Sequence, residues 1–291
     1  PLWRLVGQLE DGLQGGETAI SDAAWSEYLE DSPTPEGFDV IVAHGPGPLA
    51  AAAKSPARAV WRYELDASNA EAAAWERLEP LVAQCDAVAE LPAAIDPLAP
   101  GSIDLPVRLA GSMLRSLGVD LERPCVFQAR PFDSWQDPHH VLDAFALARE
   151  SAPGLQLVLA GDPVQDDVEA WRLLREVSEY AEAQQDLQLL RDVGDVELNA
   201  LRAVARAGVE STLAPASQVT KLETLWKGTP MVSARSEDPP EATAGRIAEL
   251  VNDPGLAVDV GRAGHELVRR DHLITRLAEN ELRLLASFQS T

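Results

Sequence analysis

Cations and carboxylates stand at the ends of several short apolar runs, and these are the residues able to do chemistry. FDVIVAHG (38–45) runs into His44, and AVWRYELD (59–66) carries Arg62, Glu64 and Asp66. RPCVFQARPF (123–132) has Arg130 near its end, and LQLVLAGD (155–162) closes on Gly161. Lys221 stands two residues before Glu223, in the short helical run KLETLWKG. An ammonium at a helix start can meet phosphate; the competing reading is a solvated surface lysine. Glu223 is either a ligand contact or an exposed helix acid. Arg62 and Asp66 either face a ligand or form an internal salt bridge. His139 and His140 are adjacent on a helix and point apart, so they do not form a metal pair. The five His are scattered, and no strand is followed by G-x-G-x-x-G. Neither a metal nor another cofactor is expected.

These residues need strands and helices to place them. The runs at 38–45, 59–66, 86–91, 123–132 and 155–162 read as buried strands, bounded by Gly, Pro or Asp. LQLLRDV, GVESTLAP and TPMVSAR add three more. Between them lie helical stretches. Ser68 with Glu71 has the spacing of a capping box, Asp137-Pro138 reads as a helix start, and Asp166 and Asp167 read as N-caps. From about Glu241 the pattern is helical to the end. Strands alternating with helices imply parallel sheets. LPAAIDPLAPGSIDLP (91–106) is the best linker, so two domains are expected: a reduced N-terminal domain at 1–103 and a C-terminal domain with terminal helices at 104–291. Two such halves make a cleft, and open α/β sheets bind ligands at the carboxyl ends of their strands.

Composition bounds the partners. Of 291 residues, 47 are acidic and 24 basic, giving a net charge of -23. That field repels nucleic acid and anionic membrane, so neither is an expected partner. No apolar run approaches the roughly 18 residues needed to span a bilayer, and the start PLWRLVGQLEDG shows no signal pattern. Cys85 and Cys125 sit in apolar surroundings and read as reduced thiols. A cytoplasmic location is expected.

Seven segments in order give a more specific reading: HGPGPLA (44–50), VWRYELDAS (60–68), IDPL (95–98), FDSW (132–135), DDVEAW (166–171), ELNAL (197–201) and ETLWKG (223–228). With them the chain resembles the trehalose glycosyltransferring synthases, retaining enzymes of two Rossmann-like domains (the GT-B fold) that move glucose from a nucleoside diphosphate sugar to glucose. The resemblance implies a donor side in the C-terminal half, with Arg130, Gly161, Lys221 and Glu223 as candidates and Glu223 at the ribose. It implies an acceptor side in the N-terminal half, with His44, Arg62, Glu64 and Asp66 as candidates. A sugar or nucleotide sugar would be the ligand.

Departures from the family pattern fall on polar positions. The Arg and Lys that bind the leaving diphosphate correspond to Pro131 and Gln136, and Pro215 replaces the first of two acids near the donor sugar. The polar neighbours of His44 are Gly45 and Gly47, which makes it a loop residue rather than a base, and Glu64 stands where the family has His. The chain begins after the strand whose Gly-rich loop faces the phosphates, and a glycine pair expected after VSAR is missing. Packing residues, Trp61, Trp135, Trp171 and Trp226, remain. Weak or lost transfer is expected. The alternative is a non-catalytic subunit that binds sugar or protein, as a homo-oligomer or paired with an intact paralogue.

Overall fold

The computed structural model describes residues 2–13, 18–63, 70–90, 92–132, 136–163, 167–213 and 218–288. They form two compact units: residues 1–93 with 275–291, and residues 94–274.

The first unit holds α1 (Leu2–Leu13), α2 (Asp22–Asp31), β1 (Val40–His44), α3 (Leu49–Lys54), β2 (Arg58–Tyr63), α4 (Ala72–Val82) and β3 (Ala87–Glu90). Its strands form one parallel sheet in the order β1-β2-β3. Leu5, Leu9 and Leu13 repeat every four residues and bury one face of α1, as a 3.6-residue period requires. They join Tyr28, Leu49, Leu78 and the fully buried Trp61 in one core. α4 starts at Glu71, whose side chain accepts the Ala74 N–H at 2.8 Å. Ser68, the expected cap, lies outside the described residues.

The second unit holds α5 (Val107–Ser116), β4 (Cys125–Ala129), α6 (Pro138–Ser151), β5 (Gln156–Ala160), α7 (Val168–Glu182), β6 (Leu187–Leu190), α8 (Asp195–Val204), β7 (Ala207–Thr212), α9 (Val219–Trp226), β8 (Met231–Arg235), α10 (Pro240–Asn252) and α11 (Pro254–Asp271). The five strands are parallel in the order β6-β5-β4-β7-β8. Every residue of β4 and β5 is buried. Their side chains alternate between two cores, Leu157 and Leu159 on one face and Val158 and Ala160 on the other, as a sheet covered on both faces demands. The order reverses between β4 and β7, and at such a switch point the carboxyl ends part to leave a crevice. Cys125 is buried in the second core, where burial pushes its thiol up to about 12. Asp137 and Asp167 cap α6 and α7 through the His140 and Ala170 N–H groups; Asp166 lies outside the described residues.

The unit boundary differs from the expected 1–103 and 104–291. The Pro-rich stretch is not a free linker, because its backbone is bonded into the second unit. Asn199 Nδ2 donates to the carbonyls of Pro100 and Ile103, both at 2.8 Å. The Trp226 indole donates to the Ser102 carbonyl at 3.1 Å, and Lys227 Nζ to Ser102 and Ile103, both at 2.6 Å. Pro and Gly bring turns here, but the carbonyls they expose have found donors. The far end differs too. α12 (Ile274–Ser287) belongs, from Thr275, to the first unit. The two crossing segments meet in a parallel bridge between Ile95 and Leu273, with Ile95 N–H donating to the His272 carbonyl and Ile274 N–H to the Ile95 carbonyl, both at 2.9 Å.

Candidate functional site

The rim at the carboxyl ends of β4–β8 collects most of the donor-side candidates. Arg130 follows β4 directly and has φ 53°, a left-handed conformation that costs a side-chain-bearing residue about 1–2 kcal/mol. Its N–H extends the ladder to the Ala160 carbonyl at 2.8 Å. Its side chain turns to Asp195 in the first turn of α8, with Nη2 3.3 Å from Oδ1 and both groups about half exposed. Gly161, after β5, has φ 146°, and a Cβ there would lie 3.1 Å from the Arg130 Cα. The structure therefore brings Arg130 and Gly161 together, with the glycine making the close approach possible.

The rim cations are engaged with carboxylates. Arg191 pairs with Asp162, whose other oxygen accepts the Asp192 N–H at 2.7 Å. Lys221 lies 3.7 Å from Glu210, which also accepts the Ser233 hydroxyl at 2.6 Å. Arg235 lies 3.2 Å from Glu237. Arg172 pairs with Glu169 and Glu176. Gln136 adds an antiparallel bridge to Thr212 of β7, and its Oε1 accepts the Gln128 amide at 3.0 Å. A neutral amide thus stands at the mouth of the switch point. Pro131 is buried next to Gly161, and Pro215 lies outside the described residues.

Lys221 and Glu223 are not used together. Glu223 turns inward to Arg202 of α8, with Nη2 2.6 Å from Oε2; the two side chains are 1% and 16% exposed for Arg202 and Glu223. Arg202 also reaches the Gly101 carbonyl at 3.4 Å, and Glu223 packs so closely that a Cβ on Gly101 would lie 2.4 Å from its Oε1. Burial pushes Glu223 up from the ordinary glutamate value, opposed by the charge of Arg202. Burial likewise lowers Lys227, opposed by Asp104. Arg202 and Asp195 were not among the sequence candidates. Arg202 ends the uninterrupted buried run Leu198–Arg202 of α8, and a buried cation demands a buried acid.

On the acceptor side, His44 and Arg62 are register partners at the ends of β1 and β2. Arg62 Nη1 lies 3.1 Å from Glu281 of α12, with both side chains mostly buried. Of the two readings of Arg62, a ligand contact or an internal ion pair, the structure contains an ion pair, with Glu281. Glu64 and Asp66 lie outside the described residues. The loop after His44 is tied down by hydrogen bonds. Gly45 has φ 72°, the Trp61 indole donates to its carbonyl at 2.9 Å, and the Tyr28 hydroxyl donates to the Pro46 carbonyl at 2.7 Å while accepting the Ala50 N–H at 2.9 Å. Among the described residues, no helix is long and apolar enough to cross a membrane.

No family model matches the chain. Trehalose synthase from Rubrobacter xylanophilus is 29% identical over an alignment 333 positions long, gaps included, covering 98% of this chain and 80% of that protein. Sucrose-phosphate synthase from Thermosynechococcus elongatus superposes with a TM-score of 0.68 at 14% identity, over 95% of this chain and 82% of that one. Anabaena Alr3699/HepE in complex with UDP and glucose superposes with a TM-score of 0.65 at 12% identity, over 91% and 82%.

Proposed function

We propose that this chain, a homologue of the trehalose synthases with the GT-B fold, transfers glucose from nucleoside diphosphate glucose weakly or not at all. One observation carries the reading: Arg130, Arg172, Arg191, Lys221 and Arg235 at the donor-side rim each lie within 4 Å of a carboxylate. A departing diphosphate develops about two negative charges, and metal-free transfer depends on cations placed in advance to receive them. Here a diphosphate must compete with internal carboxylates in a protein of net charge -23. Pro131 and Gln136 stand where the resemblance places the Arg and Lys. Losing one such donor costs about 3–4 kcal/mol of barrier, and losing both removes several orders of magnitude in rate. Glu223, the ribose contact in this reading, is bound to Arg202 and does not compensate.

The test is direct. ADP-glucose or UDP-glucose is incubated with glucose and the purified protein, and trehalose is measured. Turnover stays below about 0.01 s⁻¹ if the reading holds. Turnover above about 1 s⁻¹, within the ordinary range of enzymes, overturns it.

A further inference from the structure

Residues 100–104 form a strap against α8 and the end of α9, and three side chains in that contact are buried: Ser102, Asn199 and Arg202. Asn199 and Arg202 are three residues apart on α8 and so share a face. Asn199 Nδ2 donates to the carbonyls of Pro100 and Ile103, and Arg202 Nη1 to that of Gly101 between them. The Ser102 carbonyl takes the Trp226 indole and Lys227. Each of the three side chains nonetheless keeps a buried polar atom with no hydrogen-bond partner among the described residues: the Ser102 hydroxyl oxygen, Asn199 Oδ1 and Arg202 Nε. An amide flip at Asn199 is no remedy, because it surrenders two bonds and turns an oxygen toward two carbonyls. Buried polar atoms in native folds are paired, and where the protein supplies no partner, ordered water does.

The three open atoms select their partner. Arg202 Nε only donates, Asn199 Oδ1 only accepts, and the Ser102 hydroxyl does either. A partner must therefore both accept and donate. A small anion would accept from Arg202 but be repelled by Asn199 Oδ1 and by Glu223, whose Oε2 already meets the Arg202 charge at Nη2, 2.6 Å away. A cation would be repelled by the guanidinium. Water is neutral, does both, and typically makes about three hydrogen bonds when buried. We infer that an internal water site lies between the strap and α8, with the Ser102 hydroxyl, Asn199 Oδ1 and Arg202 Nε as its partners. The strap is then held in part by a molecule that bulk solvent can replace, and the buried Arg202–Glu223 pair keeps a polar neighbour that offsets its loss of bulk water. None of the rim cations takes part, so the site stands whether or not the rim accepts a diphosphate.

The experiment measures water directly. On the isotope-labelled full chain, water-to-protein cross-peaks are recorded at the Arg202 Nε–H and Asn199 Nδ2–H protons by laboratory-frame and rotating-frame Overhauser spectroscopy. Cross-peaks of opposite sign in the two spectra are expected at both, the mark of a long-lived water rather than of proton exchange. Ser102→Ala removes a hydroxyl whose exchanging proton could imitate water, and the Arg202 cross-peak is expected to persist in it. A crystal structure of the chain grown in sodium bromide is the second measurement. Density for water within hydrogen-bond distance of Asn199 Oδ1 and Arg202 Nε is expected, with no anomalous signal from bromide there. Exchange-type peaks alone, loss of the Arg202 cross-peak in folded Ser102→Ala, a bromide signal at this position, or protein groups bonded to all three atoms would overturn the proposal. Turnover in the transfer assay leaves these outcomes unaffected, so the two readings fail separately.

Discussion

Arg130 and Gly161 form one device built from two unusual backbones. The left-handed turn at Arg130 ends β4 abruptly and swings the guanidinium toward α8, and Gly161 leaves room for that turn. Gly161→Ala places a Cβ 3.1 Å from the Arg130 Cα at a φ of 146°. Both steric crowding and backbone strain oppose it, so a loss of about 2–3 kcal/mol in urea unfolding is expected. Arg202 and Glu223 form a second device, with a pH signature. Arg202→Met leaves Glu223 buried without its cation, a loss of about 3–5 kcal/mol at pH 7. Removal of Arg202 pushes Glu223 further above the ordinary glutamate value. A carboxyl group whose folded value is raised stabilises the fold when protonated, and that stability is lost as pH rises through the folded value. The Arg202→Met defect should therefore shrink as pH falls toward about 4.3, the ordinary glutamate value, and be smallest below it. Urea midpoints for wild type and variant across pH 4–8 measure this. A defect of constant size would show that Glu223 is not the group left stranded. Replacing both residues, as Arg202→Met with Glu223→Leu, restores most of the stability.

Among the elements, the strap from Pro100 to Asp104 has the clearest division of labour. Its carbonyls are held by α8 and by the end of α9. Asn199→Ala removes the donors to Pro100 and Ile103, so a loss of about 2 kcal/mol is expected from two hydrogen bonds. Faster protease cleavage within 97–106 should accompany it, since the strap then opens without global unfolding. The strap also marks where the sequence stops being informative. Strand runs such as LQLVLAGD and the Asp137-Pro138 cap are local signals, and each produced its element. A string of Pro and Gly reads as a linker because local chemistry gives it turns. Which distant side chains will satisfy its carbonyls is a tertiary fact, set here by Asn199, Trp226 and Lys227. The same limit hid the candidate site. Arg130 reads as a strand residue, with one face or the other, until its left-handed φ redirects it. Glu223 reads as an exposed acid on a short helix until Arg202, on another helix, claims it. Gln136 was legible as a neutral residue at a position of interest, because its chemistry resides in its own side chain.

For the whole molecule, a net charge of -23 sets a competition between short pairs and long-range repulsion. The exposed pairs, such as Arg262 with Asp259 and Arg269 with Glu266, are solvated and screened and add little stability. Repulsion among the excess carboxylates acts over the whole surface and is screened once the Debye length drops below their spacing. Repulsion should win, so raising sodium chloride from about 0.02 to about 0.5 M raises the thermal midpoint by a few degrees. A falling midpoint would show that the local pairs dominate.

The return of α12 to the first unit has a consequence for the order of events on the ribosome. Glu281, which neutralises the largely buried Arg62, is translated more than two hundred residues after it. At about 5–20 residues per second that is a wait of roughly ten to forty seconds. During that interval the Arg62 guanidinium on β2 lacks this partner, and the Arg58 side chain awaits the Phe288 ring that later packs 5.7 Å from it. Residues 94–274 emerge complete in the meantime. The second unit can therefore fold first, although the first unit leads the chain. The first unit is completed only once α12 has been made.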